Sequence, residues 1–234
     1  CLEVRHRGCE GPEQRRAICG AAAHVAPERR SSGISGDVVI VGSGAGTSAP
    51  RLKKISIRGG SPITLCDAPV PVGGTWGTDD VIYFGPSVDW LKNLPSLNTG
   101  WSLSRISAKA GSPHTVLVPN QKSGETRFAW PELLPGGKAL LFSVAANRNT
   151  FAESHIAVLS LDTGKYHTII EQGHHAKYLQ SGHIVYVLNG NLMAVPFDVD
   201  RLEVTGSPVQ MVEDVRGRVE NGQAQFGVSP TGVL

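Results

Sequence analysis

The sequence has no apolar run near the roughly twenty residues that a membrane-spanning helix needs. Charge of one sign is also missing: 22 basic and 20 acidic residues leave a net charge of +2. No stripe of Lys and Arg alternates with aromatics, so the composition gives no reason to expect nucleic acid as a partner. Cysteine is scarce. Cys1, Cys9, Cys19 and Cys66 do not have metal-site spacing. Disulfides among the first three stay open, and Cys66 reads as a small buried apolar residue at the end of a strand. Catalytic signatures are absent as well: no G-x-S-x-G elbow, no Walker loop, no H-E-x-x-H and no kinase Gly-loop or H-R-D set. The expectation is a segment without catalytic residues, cofactor or metal. The chain opens on Cys1 and stops within a hairpin pattern at Leu234, so both ends read as cuts in a longer protein whose targeting segment lies elsewhere.

Glycine and proline are plentiful, at 28 and 15 residues, which suits a turn-rich β protein. They punctuate a repeat: an alternating apolar run, a Gly turn, then a short apolar run. The copies are Lys54-Ile55-Ser56-Ile57 to Leu65, Arg105-Ile106-Ser107 to Leu117, Ile156-Ala157-Val158 to Ile170, and Leu192-Met193-Ala194-Val195 to Val212. Their turn glycines Gly60, Gly111, Gly164 and Gly206 are 51, 53 and 42 residues apart. That period marks blades, solenoid units or arrays. A second phrase interleaves with the first, in residues 76–84, 131–142, 176–187 and 226–234. Each copy reads as a short strand, a tight turn with Asp or Gly, and a β-branched or aromatic strand. Two hairpins per unit make a four-stranded propeller blade.

Three stretches carry a family likeness: the W-x-x-D-D-x-I-x-F of residues 76–84, the L-P-G-G-K-x-L-L-F of 134–142, and the L-M-A-V-P-F-D of 192–198. With them, residues 52–234 resemble the bacterial WD40-like propeller repeats of the TolB type. The likeness extends to propellers that follow the kinase domain and membrane helix of eukaryotic-like serine/threonine kinases. The resemblance implies an all-β fold, a partial β-propeller of about four blades of four antiparallel strands. It also implies an extracytoplasmic or periplasmic location.

Residues 1–36 do not echo the repeat. They are rich in Arg, Gly, Ala and Pro and read as poorly ordered or as an artefact, with the propeller fragment spanning 37–234. Asp37-Val38-Val39-Ile40-Val41-Gly42-Ser43-Gly44-Ala45-Gly46-Thr47 imitates the start of a dinucleotide-binding unit. Such a turn needs a helix after it to supply amides and dipole. Here Pro50 follows closely and Leu52 already starts a repeat strand, so a strand and turn completing the first blade is the expected reading.

His174 and His175, with His167 and His183 nearby, are the densest set of ligand-type residues. They fall between two units and read as solvated loop histidines. Asp79, Asp80 and Asp162 sit where repeat turns call for Asp. Trp76 and Trp130 read as equivalent packing positions. Trp90 and Trp101 flank an insertion, residues 85–100, that also holds Lys92 and Asn93. Loops on one face of a propeller carry recognition, so Trp90, Lys92, Asn93 and Trp101 form the candidate partner-binding loop, with residues 145–154 as a second.

The expected role is a non-catalytic interaction or sensor module within a larger bacterial protein such as a membrane-anchored kinase, with a protein or peptide partner. The alternative is a propeller gating a prolyl-oligopeptidase-type α/β-hydrolase outside this chain. A flavin-linked enzyme would rest on Gly42 to Gly46 alone.

Overall fold

Why these strands can be apolar on both sides explains the whole architecture. In the computed structural model, Ala139 to Ala145 form a strand in which every residue is buried. Successive side chains of a strand point to opposite faces. A strand buried throughout must therefore be covered on both, as in stacked blades. The structure describes residues 37–42 (backbone only), 51–56, 60–68, 72–77, 79–85, 101–147 and 149–228. The segments 1–36 and 86–100, and with them Trp90, Lys92 and Asn93, lie outside the described residues.

The first sheet has three strands, β1 (Asp37–Gly42), β2 (Arg51–Ser56) and β3 (Ile63–Asp67), in that order. β1 pairs antiparallel with β2, Asp37 opposite Ser56. A dinucleotide-binding unit would place its next strand parallel, so the antiparallel pairing of β1 with β2 does not fit one. Cys66 is a free, half-buried thiol on β3, packed against the first core cluster. Burial, then the neighbouring Asp67, push its thiol up to about 11.

The second sheet runs β4 (Gly74–Trp76), β5 (Val81–Phe84), β6 (Leu103–Ser107), β7 (His114–Leu117). The third runs β8 (Arg127–Leu133), β9 (Ala139–Ala145), β10 (Ser154–Ser160), β11 (Tyr166–Ile170). The fourth runs β12 (His174–Leu179), β13 (His183–Leu188), β14 (Asn191–Asp198). Its outer place is shared by β15 (Glu203–Val204) and β16 (Val209–Val212), both paired with β14. A short ladder of β17 (Gly217–Arg218) and β18 (Gln223–Ala224) follows. This is part of a β-propeller. Of the final repeat copy, residues 226–228 form no strand and 229–234 lie outside the described residues.

Alternation distributes the core between neighbouring sheets. Ile82 and Phe84 of β5 pack with Leu52 and Leu65 of the first sheet. Tyr83, between them in sequence, packs the other way onto Phe128, Leu140 and Phe142 of the third. Leu141 then turns to Ile184, Tyr186 and Val195 of the fourth. Val185 and Val187 face onward to Ala224. Between the second, third and fourth sheets, the middle strands thus supply odd residues to one layer and even residues to the other. Phe128, Phe142 and Tyr166 meet edge to face at 5.0 to 5.9 Å, a geometry that favours aromatic pairs.

Candidate functional site

The innermost strands β4, β8 and β12 carry the site, because they meet one another across the sheets. Turn closure fixes their alignment. The Gly77 amide donates to Val81, the Leu134 amide donates to Ala139, and Leu179 stands opposite His183. Counting back, Trp76 aligns with Leu133 and Tyr178. Trp130 sits three residues earlier and aligns with Gly73 and His175. Trp76 and Trp130 are therefore not equivalent, contrary to the sequence reading. Trp76 packs on the first core cluster, while Trp130 belongs to a separate cluster nearer the sheet ends.

Gly73, Trp130 and His175 share a backbone feature, with φ of 92°, 54° and 54°. The pairing of β8 and of β12 slips there, between Ala129 and Glu132 and between His174 and Lys177. Bulges of this kind re-aim side chains. Here they turn one residue per sheet toward the next. The rings of Trp130 and His175 stack at 4.3 Å and 18°. His175 in turn meets Phe226 at 5.2 Å. A Cβ on Gly73 would lie 2.8 Å from the Trp130 ring, so only glycine fits that place. Two residues further on, Lys177 pairs with Glu132 at 3.1 Å, both largely buried.

The histidines correct the sequence reading. His174 and His175 are not solvated loop residues; both are buried on β12. His174 Nδ1 lies 2.9 Å from the Gly222 carbonyl, which only accepts, so that nitrogen carries the proton. Burial holds His174 below the usual imidazole range. His175 Nδ1 accepts from the Ala224 amide at 2.7 Å. His167 is exposed on β11, and His183 turns back on Ser181. Among the described residues no three His, Cys, Asp or Glu stand together as metal ligands. Asp79 and Asp80 are turn residues: Asp79 Oδ1 accepts from the Val81 amide, and Asp80 has φ 61°.

The residue that the sequence reading passed over is Arg127, at the start of β8 and 3% exposed. Its guanidinium lies between two rings, 4.5 Å from the centre of Trp101 and 4.4 Å from that of Phe151. Trp101 is the described member of the candidate loop. It bridges to Arg127, its amide donates to Thr126, and its carbonyl accepts from Phe128. Phe151 comes from the second loop, 145–154. Its amide donates to Val219, and its carbonyl is 2.6 Å from the Ser154 hydroxyl. The two loops leave the same end of their sheets, because β5 and β9 hold the same place in successive blades. The structure thus brings Trp101 and Phe151 onto one buried cation. The available signal was an Arg entering an otherwise apolar strand, Phe128-Ala129-Trp130.

Segment 220–222 crosses this end and collects donors from two sheets. Glu220 O accepts from Arg127 Nη1 at 3.0 Å, Asn221 O from Trp130 Nε1 at 2.8 Å, and Gly222 O from His174 Nδ1 at 2.9 Å. Glu125, two residues before Arg127, is committed elsewhere. Its carboxylate accepts the Tyr166 hydroxyl at 2.6 Å and the Asn120 amide at 2.8 Å. Burial alone pulls the Arg127 guanidinium down to about 10, so it stays charged at neutral pH.

No protein-family model and no curated protein matches the chain. Among solved structures, a protein assigned as TolB from Agrobacterium tumefaciens is 12% identical, with a TM-score of 0.52 over 80% of this chain and 68% of that one. TolB from Acinetobacter baumannii is 17% identical, with a TM-score of 0.48 over 67% of this chain and 37% of that one. A puromycin-hydrolysing peptidase from Mycobacterium tuberculosis is 14% identical, with a TM-score of 0.48 over 80% of this chain and 31% of that one. The Agrobacterium protein establishes the fold, a TolB-like β-propeller. The chain spans little more than a third of the Acinetobacter TolB.

Proposed function

We propose that this chain is a non-catalytic interaction or sensor module of a larger bacterial protein, such as a membrane-anchored serine/threonine kinase. It binds a protein or peptide partner by the end of the propeller that bears loops 85–100 and 145–154. The observation that carries this reading is the convergence of Trp101 and Phe151, one from each loop, on buried Arg127. Rigid sheets hold that meeting point, and recognition residues gather on loops placed by a rigid scaffold. Trp90, Lys92 and Asn93 of the first loop are proposed as further contacts to that partner. The location is extracytoplasmic or periplasmic, in keeping with the resemblance to TolB.

The test uses the native-length protein in its own organism. Chemical cross-linking and purification should recover one partner with the wild-type chain. Trp101→Ser should lose it, while Lys165→Glu, on an exposed turn at the opposite end, should keep it. A fluorophosphonate probe should leave the protein unlabelled. Labelling of a serine in the same polypeptide would instead support the hydrolase-gating alternative and overturn the kinase-linked reading.

A further inference from the structure

Arg127 uses only part of its donor set. Nη1 donates to Glu220 O, and the flat faces of the group are covered by Trp101 and Phe151. Nε and Nη2 are buried and have no hydrogen-bond partner. These two nitrogens lie along one edge of the planar guanidinium, the edge that a carboxylate grips with both its oxygens. No carboxylate among the described residues pairs with it, and the nearest in sequence, Glu125, is held by Tyr166 and Asn120. Buried charges are ordinarily paired, because an unpaired one forfeits its hydration with nothing in return. The neighbouring rings supply partial compensation through their faces. They leave the edge donors unmet. Phe151 is fully buried and Trp101 is half-buried, so Trp101 is the ring nearer solvent, and a group approaching the edge from that side has to displace what now covers it.

We propose that the Nε–Nη2 edge of Arg127 is a receptor for a carboxylate that a protein partner delivers to the loop-bearing end. This rests on the partner-binding reading and names the chemistry that the partner must present. The chemistry is shared by an acidic side chain and by a chain terminus. Trp101 and Phe151 hold the fork in a fixed plane, so the partner finds it already oriented, which lowers the ordering cost of binding.

The test is a titration of the whole chain at constant ionic strength with three probes. N-acetylglycine presents a terminal carboxylate, N-acetylglutamic acid α-amide presents a side-chain one, and N-acetylglycinamide presents none. The readouts are the Arg127 Nε–H nuclear magnetic resonance signal and the indole fluorescence of Trp101. A saturable shift of both by a carboxylate probe, with none from the amide, is the expected result. The stronger of the two carboxylates identifies the source. Arg127→Lys keeps the charge but lacks the edge, and should bind about tenfold more weakly or worse. Arg127→Met should not respond. If Arg127→Met fails to fold, Arg127→Lys, checked by circular dichroism, carries the comparison. No shift in the wild type, or an equal shift in Arg127→Lys, would overturn the proposal and leave Arg127 a structural clamp. The titration needs no partner, so its failure is separate from failure of the cross-linking test.

Discussion

At Gly222 the lack of a Cβ leaves room for the rings of Phe151 and Trp130. Its φ is 69°, and a Cβ there would lie 2.8 Å from Phe151 Cγ and 3.2 Å from Trp130 Nε1. Gly222→Ala should therefore cost about 1–3 kcal/mol through strain and displaced rings. Thermal unfolding would show this, and an unchanged midpoint would mean that the rings yield freely. His174 gives a second test at this scale. Burial lowers its pKa, so the folded chain binds fewer protons than the unfolded chain just below the ordinary imidazole value of about 6.5. Stability therefore falls as pH drops through that value, and levels off once folded His174 itself protonates. Half-buried His155, its pKa lowered by desolvation, acts in the same direction. The unfolding midpoint should drop between pH 7 and pH 5, and His174→Asn should drop less; an identical slope would remove His174 from the account. These residues were poorly legible in the sequence. Two adjacent histidines between repeat units look solvated, and only the bulge at positive φ turns them inward. Trp130 was misaligned with Trp76 for the same reason, since a bulge shifts register without leaving a compositional mark.

Among the elements, the middle strands matter most because they fill two inter-sheet layers at once. Leu141 of β9 is fully buried between the third and fourth sheets. Leu141→Ala should cost about 2–5 kcal/mol, the usual range for a large core deletion. Ile63, which begins β3 and is 56% exposed, should tolerate Ala within about 0.5 kcal/mol. Denaturant unfolding of the two variants measures the contrast, and near-equal losses would contradict the two-sided layers. At this scale the sequence was read well. The four hairpin copies correspond to β2–β3, β6–β7, β10–β11 and β14 with β16, and three of the interleaved copies to β4–β5, β8–β9 and β12–β13. Period and turn residues are local signals, so they survive without knowledge of the tertiary packing. The strand at 37–42 was also legible as the partner of a repeat strand, because Pro50 and the early start of β2 left no room for a helix.

For the molecule as a whole, the sheets stack so that the β9–β10 connection and the crossings between sheets fall at one end, and the short β8–β9, β10–β11 and β12–β13 turns at the other. The proposal of the former end as the recognition surface came partly from sequence, through loop length and the Trp90 and Trp101 flanks. Arg127 as its centre did not. A buried arginine is indistinguishable from an exposed one until Trp101 and Phe151, 50 residues apart in sequence, are seen on either side of it. The most direct measurement places a photo-reactive amino acid in the native-length protein at Asn147, exposed on the loop-bearing end, and separately at Asp162, exposed on the opposite turn. The account predicts that Asn147 cross-links to a single partner on illumination in the cell and that Asp162 does not. Cross-links from Asp162 alone, or equally from both, would contradict it.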